Sequence, residues 1–109
     1  MSSFKDLEDN LKKFMIEEQS DAHNIRSVSV AKYNNLKIWM DESKYQIPHF
    51  IVRISISEAV FSLPDGIKIN GGLGYEERLV LKWFGRMGIK DKLKLLWGSD
   101  ENRRDEKKS

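Results

Sequence analysis

The sequence contains no cysteine and only two prolines and two histidines in 109 residues. The absence of thiols excludes disulfide scaffolds, cysteine nucleophiles and cysteine-based zinc sites, and it is typical of a protein from a reducing compartment. The first ten residues lack the apolar core of a secretory signal, and no apolar run approaches the roughly 20 residues that span a bilayer. We therefore expect a cytoplasmic protein that does not bind a membrane.

The length is that of one domain with a single hydrophobic core. Residues 99–109 contain no apolar residue and as many acids as bases, so we predict a disordered tail after a domain that spans residues 1–98. The net charge of +2 conceals an uneven distribution, because residues 1–21 sum to −3 whereas residues 78–98 sum to +5. This asymmetry predicts that the two ends of the fold are electrostatically opposite.

Hydrophobic periodicity predicts an α+β domain in which helices frame a mainly antiparallel sheet. Apolar residues at steps of three and four predict an amphipathic helix over residues 3–19, with ion pairs from Glu8 to Lys12 and from Asp9 to Lys13. Alternating patterns then predict five short strands, around Val28 and Val30 and over residues 36–41, 49–57, 58–63 and 67–69. We expect "NN" at residues 34–35 and "PDG" at residues 64–66 to form turns.

The alternation also assigns sheet faces. Along the third strand, one face is predicted to be buried (Phe50, Val52, Ile54 and Ile56) and the other partly wet (Ile51, Arg53, Ser55 and Ser57). Trp39 shares a face with Lys37 and Asp41, so we expect it to be exposed on the sheet.

A glycine-rich stretch, "NGGLG", is expected to break the chain before a second helix that begins near Tyr75. The apolar face of this helix is predicted to comprise Leu79, Val80, Trp83, Phe84 and Met87. Because glycine has a low helix propensity, we predict a bend near Gly88, followed by a final short helical stretch that ends with Trp97. No Gly-Lys-Ser/Thr sequence follows the glycines, so we predict no nucleotide cofactor.

Three segments carry a family resemblance: "MDESKYQIPHFIVRIS", "AVFSLPDGIKINGGL" and "ERLVLKWFGRMGIKDKLKLLW". Together they resemble an uncharacterised family of small bacterial and phage-associated proteins with a Pro-His-Phe-His strand motif. The positions that match are Pro48, His49, Phe50, Trp83 and Trp97, within about residues 36–97. The resemblance implies a small α+β domain from a two-gene module of toxin–antitoxin type. Ile51 stands where the family has its second histidine, which argues against a metal site.

His49 is the residue best suited to acid–base chemistry, because an unperturbed imidazole titrates near neutral pH. Arg53 could stabilise an anion beside it, and Asp41 or Glu42 could orient it. No nucleophile or carboxylate pair completes a catalytic set, however, and we predict neither a metal nor a cofactor. A structural histidine at the sheet edge and a recognition contact, shared with Trp39, are the alternatives.

The basic set of the C-terminal helices is the most suggestive binding feature: Arg78, Lys82, Arg86, Lys90, Lys92 and Lys94. Residues four apart lie along one helix surface, so the set could contact phosphates or an acidic protein surface, including the N-terminal helix of another copy. A solvated helix face is the simpler interpretation.

The sequence thus favours a non-catalytic interaction or regulatory module whose partner is another protein. A nucleic-acid-binding protein that uses the basic helix and a small ribonuclease-like hydrolase that uses His49 with Arg53 remain as alternatives. The sequence does not predict the oligomeric state.

Overall fold

The computed structural model describes residues 4–21 and 33–97, so the predicted strand around Val28 and Val30 and the tail lie outside the described residues. The α+β class is confirmed. The elements are α1 (Phe4–Asp21), a 3-10 turn (Tyr33–Asn35), β1 (Lys37–Trp39), β2 (His49–Ile54), β3 (Ser57–Ser62), β4 (Lys68–Gly72), α2 (Glu76–Phe84) and α3 (Ile89–Trp97).

The described strands form one antiparallel sheet with the order β1-β2-β3-β4, one strand fewer than the sequence predicts for the whole chain. One sheet face contributes Phe50, Val52 and Ile54 of β2 and Ala59 and Phe61 of β3 to the core cluster. Buried residues of all three helices belong to the same cluster. The helices therefore cover this face.

α1 confirms the predicted amphipathic helix, since its apolar stripe is buried: Phe4, Leu7, Leu11, Phe14 and Met15. The ion pairs of the helix differ from the predicted ones. Lys12 lies 3.9 Å from Asp9, whereas a Glu8 carboxylate oxygen accepts a 2.9 Å hydrogen bond from the Ile38 amide of β1. Glu8 thus satisfies an amide of the sheet's outer strand.

The second sheet face is drier than predicted. Ile51, expected on a wet face, is 2% exposed and lies opposite Val60, which is equally buried. The loop between β1 and β2 explains this difference, because the Tyr45 hydroxyl accepts a 2.9 Å hydrogen bond from Asn70 of β4 and so extends over the face. Alternation in the sequence reports which side a residue occupies but not which loop covers it.

β2 and β3 are joined by a two-residue turn at Ser55 and Ile56. Ser55 has a φ of +60°, a backbone conformation that favours glycine at the first position of such turns. Ile56 is 92% exposed, so the prediction that it shares the buried face of Phe50 is wrong. The strand ends at Ile54, three residues earlier than its pattern indicates.

The predicted break at "NGGLG" is correct only for the second half of the motif, because residues 70–72 lie within β4 and the chain leaves the strand at residues 73–75. Gly71 has a φ of +72°, and a Cβ atom there would overlap the carbonyl oxygen of Glu58 on the neighbouring strand. A register irregularity at Val60 accompanies this close approach. Glycine here permits tight strand pairing at a bulge.

The C-terminal helices follow the predicted bend, with α2 ending at Phe84 and α3 beginning directly after Gly88, whose φ is +89°. Trp83 is fully buried, and its indole Nε1–H donates a 2.8 Å hydrogen bond to Asn10 of α1. Met87 is 100% exposed, so its predicted place on the apolar face is wrong, since the helix has already ended there.

Candidate functional site

His49 opens β2 immediately after Pro48, and its side chain is completely buried. The ring Nδ1 lies 2.8 Å from the carbonyl oxygen of Ile47, and Nε2 accepts a 2.9 Å hydrogen bond from the Asp41 amide. A carbonyl can only accept and an amide can only donate, so the two partners assign the neutral tautomer with its proton on Nδ1. Both nitrogens are therefore engaged by the loop that precedes β2.

Aromatic rings enclose the imidazole. Tyr45 and Trp97 approach it edge-on, with ring centroids 5.2 Å and 5.1 Å away. Burial lowers the pKa of His49, an effect that its hydrogen bond to Ile47 and the charge of Asp41 only partly oppose. The neutral form is thus favoured near neutral pH, and its Nε2 lone pair already accepts the Asp41 amide. A general base needs such a lone pair for its substrate.

Asp41 orients the loop rather than the imidazole. Its carboxylate accepts hydrogen bonds from the Ser43 hydroxyl at 2.7 Å and from the Lys44 amide at 3.1 Å. The hydrogen bond from Ser43 is the main reason that the pKa of Asp41 is lowered. The contact between Asp41 and His49 runs through the backbone amide, not through the carboxylate.

The other predicted catalytic residue, Arg53, lies near the far end of β2, four residues from His49 along the strand. Its guanidinium Nε donates a 3.3 Å hydrogen bond to the Ser55 carbonyl. No hydrogen bond joins Arg53 to His49 within the described part of the chain. Trp39, the predicted recognition residue of β1, is half-buried rather than exposed.

An apolar cleft is lined by Trp97, the residue whose ring contacts the imidazole. It has a volume of about 160 Å³ and is lined by Pro48, Leu63, Pro64, Lys94 and Trp97. We call it the terminal cleft, because it lies where β2 begins, where β3 ends and where α3 ends. The buried His49 ring contacts Trp97, so the imidazole supports one wall of the terminal cleft.

The six residues of the basic set are all exposed, on α2, on α3 and in the segment between them. Two of them contact α1: Lys82 pairs with Glu18 at 2.9 Å, and the Arg86 guanidinium lies 5.2 Å from the centre of the Phe14 ring. Lys90 lies 5.7 Å from the Phe84 ring. The acidic and basic ends of the chain thus meet within one molecule, which the sequence-based idea of contact with another copy did not anticipate.

We next consider metal binding, membrane-spanning helices and similarity to known proteins. Within residues 4–21 and 33–97, no group of three or more His, Cys, Asp or Glu residues is placed to hold a metal ion. None of the helices described is long and apolar enough to cross a bilayer. No protein-family model, curated protein or solved structure matches the chain.

Sequence reasoning singled out Pro48 and Trp97 separately but did not bring them together. The terminal cleft depends on the turn that follows β3, which places Leu63 and Pro64 beside the end of α3. A Leu63 amide that donates to the Pro48 carbonyl at 2.9 Å holds this turn against the start of β2. No local sequence signal reports such a contact between distant segments.

Proposed function

We propose that the protein is a non-catalytic binding module that recognises an apolar protein segment flanked by acidic residues, and that the terminal cleft is its binding site. The observation that carries this proposal is the composition of the cleft wall. Two prolines, a leucine and a half-buried tryptophan leave apolar surface open to the solvent, with one lysine among them. Tryptophan is enriched among the residues that dominate binding energy at protein interfaces.

Charge around the terminal cleft supports an acidic partner. On α3, Lys94 lines the cleft and Lys90 lies four residues before it on the same exposed surface, and Asp91 is the one acid of this helix. A positive surface beside an apolar cleft favours partners that place carboxylates around an apolar anchor, because complementary charge speeds encounter and disfavours other partners. The partner class is therefore an acidic and apolar segment of another protein.

Rigidity of the cleft wall supports binding rather than turnover. Tyr45 and Trp97 each make a T-shaped contact with the His49 ring, and the hydrogen bonds of His49 fix that ring. A wall that is already ordered loses little conformational entropy when a partner binds. In this proposal, His49 contributes to recognition through Trp97 and not through proton transfer.

A regulatory role in a two-gene bacterial module, located in the cytoplasm, is consistent with a binding module of this kind. We expect induced expression of the protein alone to leave growth of a bacterial host unchanged. Growth arrest that disappears in an Arg53→Gln variant would instead favour the ribonuclease-like alternative, because Arg53 is exposed and its replacement should leave the fold intact. An RNA-cleavage assay on the purified protein, in wild-type and Arg53→Gln forms, checks that alternative directly.

The cleft itself is tested with a charge reversal and a matched control. Lys94→Glu and Lys92→Glu make the same change on one helix, but only Lys94 lines the terminal cleft. Affinity purification from the native host should recover a partner with the wild-type protein and with Lys92→Glu, and lose it with Lys94→Glu. A peptide from that partner should then shift the NMR signals of Lys94 and of the Trp97 indole.

Two results would contradict the proposal. In one, Lys94→Glu and Lys92→Glu weaken partner binding equally, which would indicate a diffuse electrostatic surface. In the other, the peptide shifts signals of α1 and leaves the Trp97 indole unchanged. Both variants replace exposed side chains, so we expect each to fold as the wild type does.

A second candidate, nucleic acid binding, is favoured by the exposure of the whole basic set. Replacing Arg78, Lys82, Arg86 and Lys90 together by glutamine should then abolish binding of duplex DNA or RNA. Wild-type affinity should fall steeply with salt, with a logarithmic slope of about −0.9 per phosphate contacted on duplex DNA. Fluorescence anisotropy at two salt concentrations measures both effects. The cleft proposal predicts no such binding at physiological ionic strength.

The quadruple variant needs a stability control, because Lys82 and Arg86 also contact α1. The exposed pair between Lys82 and Glu18 contributes about 0.2–1 kcal/mol, so the variant should remain folded. Glu18→Gln breaks the same pair without removing a cation. It should reproduce the part of the stability loss that comes from the Lys82–Glu18 pair while leaving nucleic acid affinity intact or improved.

A further inference from the structure

A second cavity lies near the opposite end of β2 from the terminal cleft. It has a volume of about 260 Å³ and is lined by Asn35, Lys37, Arg53 and Ser55. This volume is below the roughly 300–1,000 Å³ of pockets for drug-sized ligands, so it suits a small ion or one chemical group of a larger ligand. All four lining side chains are polar, and all four are exposed.

Two cations face each other in this pocket. Lys37 of β1 and Arg53 of β2 are direct partners in the antiparallel register. Side chains at such positions lie on the same sheet face, with Cβ atoms about 4.5–5.5 Å apart, and like charges placed there destabilise the sheet. Among the described residues, neither cation forms an ion pair, since the pairs present are Lys12–Asp9, Lys68–Glu77 and Lys82–Glu18.

The geometry of Arg53 favours an oxyanion. Its Nε–H is held by the Ser55 carbonyl at 3.3 Å, which restricts the orientation of the guanidinium. A guanidinium has five N–H donors in a fixed fork, so four remain for a ligand. Fork geometry matches the oxygens of phosphate, and the Lys37 ammonium adds a point charge. Asn35 and Ser55 complete the lining with side-chain groups that can donate.

We propose that the pocket formed by Asn35, Lys37, Arg53 and Ser55 binds a phosphate dianion, either free or as the terminal phosphate of a small phosphomonoester. Binding would neutralise the repulsion between Lys37 and Arg53. The acid closest in register is Glu58, which is exposed and lies opposite Arg53 on β3. Glu58 opposes an anion here, so its removal should strengthen binding. This proposal does not depend on the function of the terminal cleft.

The test is an NMR titration with inorganic phosphate at constant ionic strength, with chloride as the compensating anion. Saturable shifts should appear at Lys37, at the Arg53 side chain and at Ser55. Arg53→Gln and Lys37→Gln should each weaken binding on the order of tenfold, which corresponds to loss of a charge-assisted hydrogen bond. Arg53→Lys should weaken binding less than Arg53→Gln does, because it keeps the charge but loses the fork.

Matched controls distinguish a built site from general charge attraction. Lys92→Gln removes an equal charge from α3 and should leave phosphate affinity unchanged, whereas Glu58→Gln should increase it. The lining residues are exposed, so these variants should fold. Equal weakening by Lys92→Gln and Arg53→Gln, or no saturable shift with the wild type, would overturn the proposal.

A second arm identifies the source of the phosphate by titrating adenosine monophosphate under the same conditions. Trp39 follows Lys37 by two residues on β1 and therefore lies on the same sheet face. Tighter binding of the nucleotide than of inorganic phosphate, lost in Trp39→Leu, would indicate a phosphomonoester with a stacking base. Equal affinities would indicate a site for the phosphate alone. If neither ligand shifts Lys37 or Arg53, the assignment of this pocket is wrong.

Discussion

Replacing His49 by alanine tests whether this residue stabilises the fold. The substitution leaves the Asp41 amide without its 2.9 Å acceptor and the Ile47 carbonyl without its donor. An unsatisfied buried hydrogen-bonding group costs about 1–3 kcal/mol. Lost ring contacts with Tyr45 and Trp97 add about 0.5–1.5 kcal/mol each. Because Ile47 is exposed, water can replace the donor to its carbonyl, so we count one unsatisfied amide and two ring contacts and expect His49→Ala to lower the free energy of unfolding by about 2–6 kcal/mol, measured by urea denaturation.

The same residue should make stability depend on pH. The folded-state pKa of His49 lies below its usual value of 6.5, so the unfolded state binds more protons as the pH falls past that value. Stability from His49 is therefore complete above about pH 6.5 and is lost as the pH falls toward the folded-state pKa. The slope cannot exceed about 1.4 kcal/mol per pH unit for one proton. The lowered pKa of Asp41 acts in a separate window below its usual value of 3.8.

The control is His23→Ala, which removes the other imidazole of the chain. The wild type and His23→Ala should share the loss of stability below about pH 6.5, and His49→Ala should lack it. NMR of the wild-type ring should show the tautomer with its proton on Nδ1, a readout that does not require the variant to fold. A variant within about 0.5 kcal/mol of the wild type, or one with an unchanged pH slope, would refute the structural role.

Three further substitutions test the fold by thermal or urea unfolding. Gly71→Ala should destabilise by more than about 1 kcal/mol, because its φ is positive and its Cβ overlaps β3, whereas Gly72→Ala at the next position should cost little. Ser55→Gly should stabilise by up to about 1 kcal/mol by relieving the positive φ, and a loss would contradict the turn geometry. Trp83→Ala should cost about 3–5 kcal/mol and Trp39→Ala clearly less, since only Trp83 is fully buried.

The helices were the most predictable part of the fold. α1 buries one stripe only, so its spacing of three and four residues identifies both the element and its core residues, and the buried Trp83 follows from the same logic in α2. The burial of the second sheet face was less predictable, because a loop covers Ile51 and the alternation of apolar and polar residues carries no information about that loop. Gly71 looked like a chain break, since glycine at a bulge and glycine in a turn have the same sequence signal.

The candidate sites were less accessible to sequence reasoning because they depend on contacts between distant segments. His49 was singled out by its type, but its role depends on an amide eight residues earlier and on Trp97 at the end of α3. Likewise, Lys37 and Arg53 come together only through the β1–β2 register. A nine-residue connection between those strands, residues 40–48, does not fix that register from sequence.

The two candidate sites lie at opposite ends of one strand, which makes their tests independent. Pro48, at the terminal cleft, directly precedes β2, and Ser55, at the phosphate pocket, directly follows it. At about 3.3 Å per residue, seven steps along the chain place them roughly 20 Å apart, beyond the 7–10 Å over which substitutions usually couple. Lys94→Glu should therefore leave phosphate affinity unchanged, and Arg53→Gln should leave partner binding unchanged. If either variant altered both activities, β2 would have to transmit a structural change between the two sites. That result would contradict the inference that His49 holds the wall of the terminal cleft rigid.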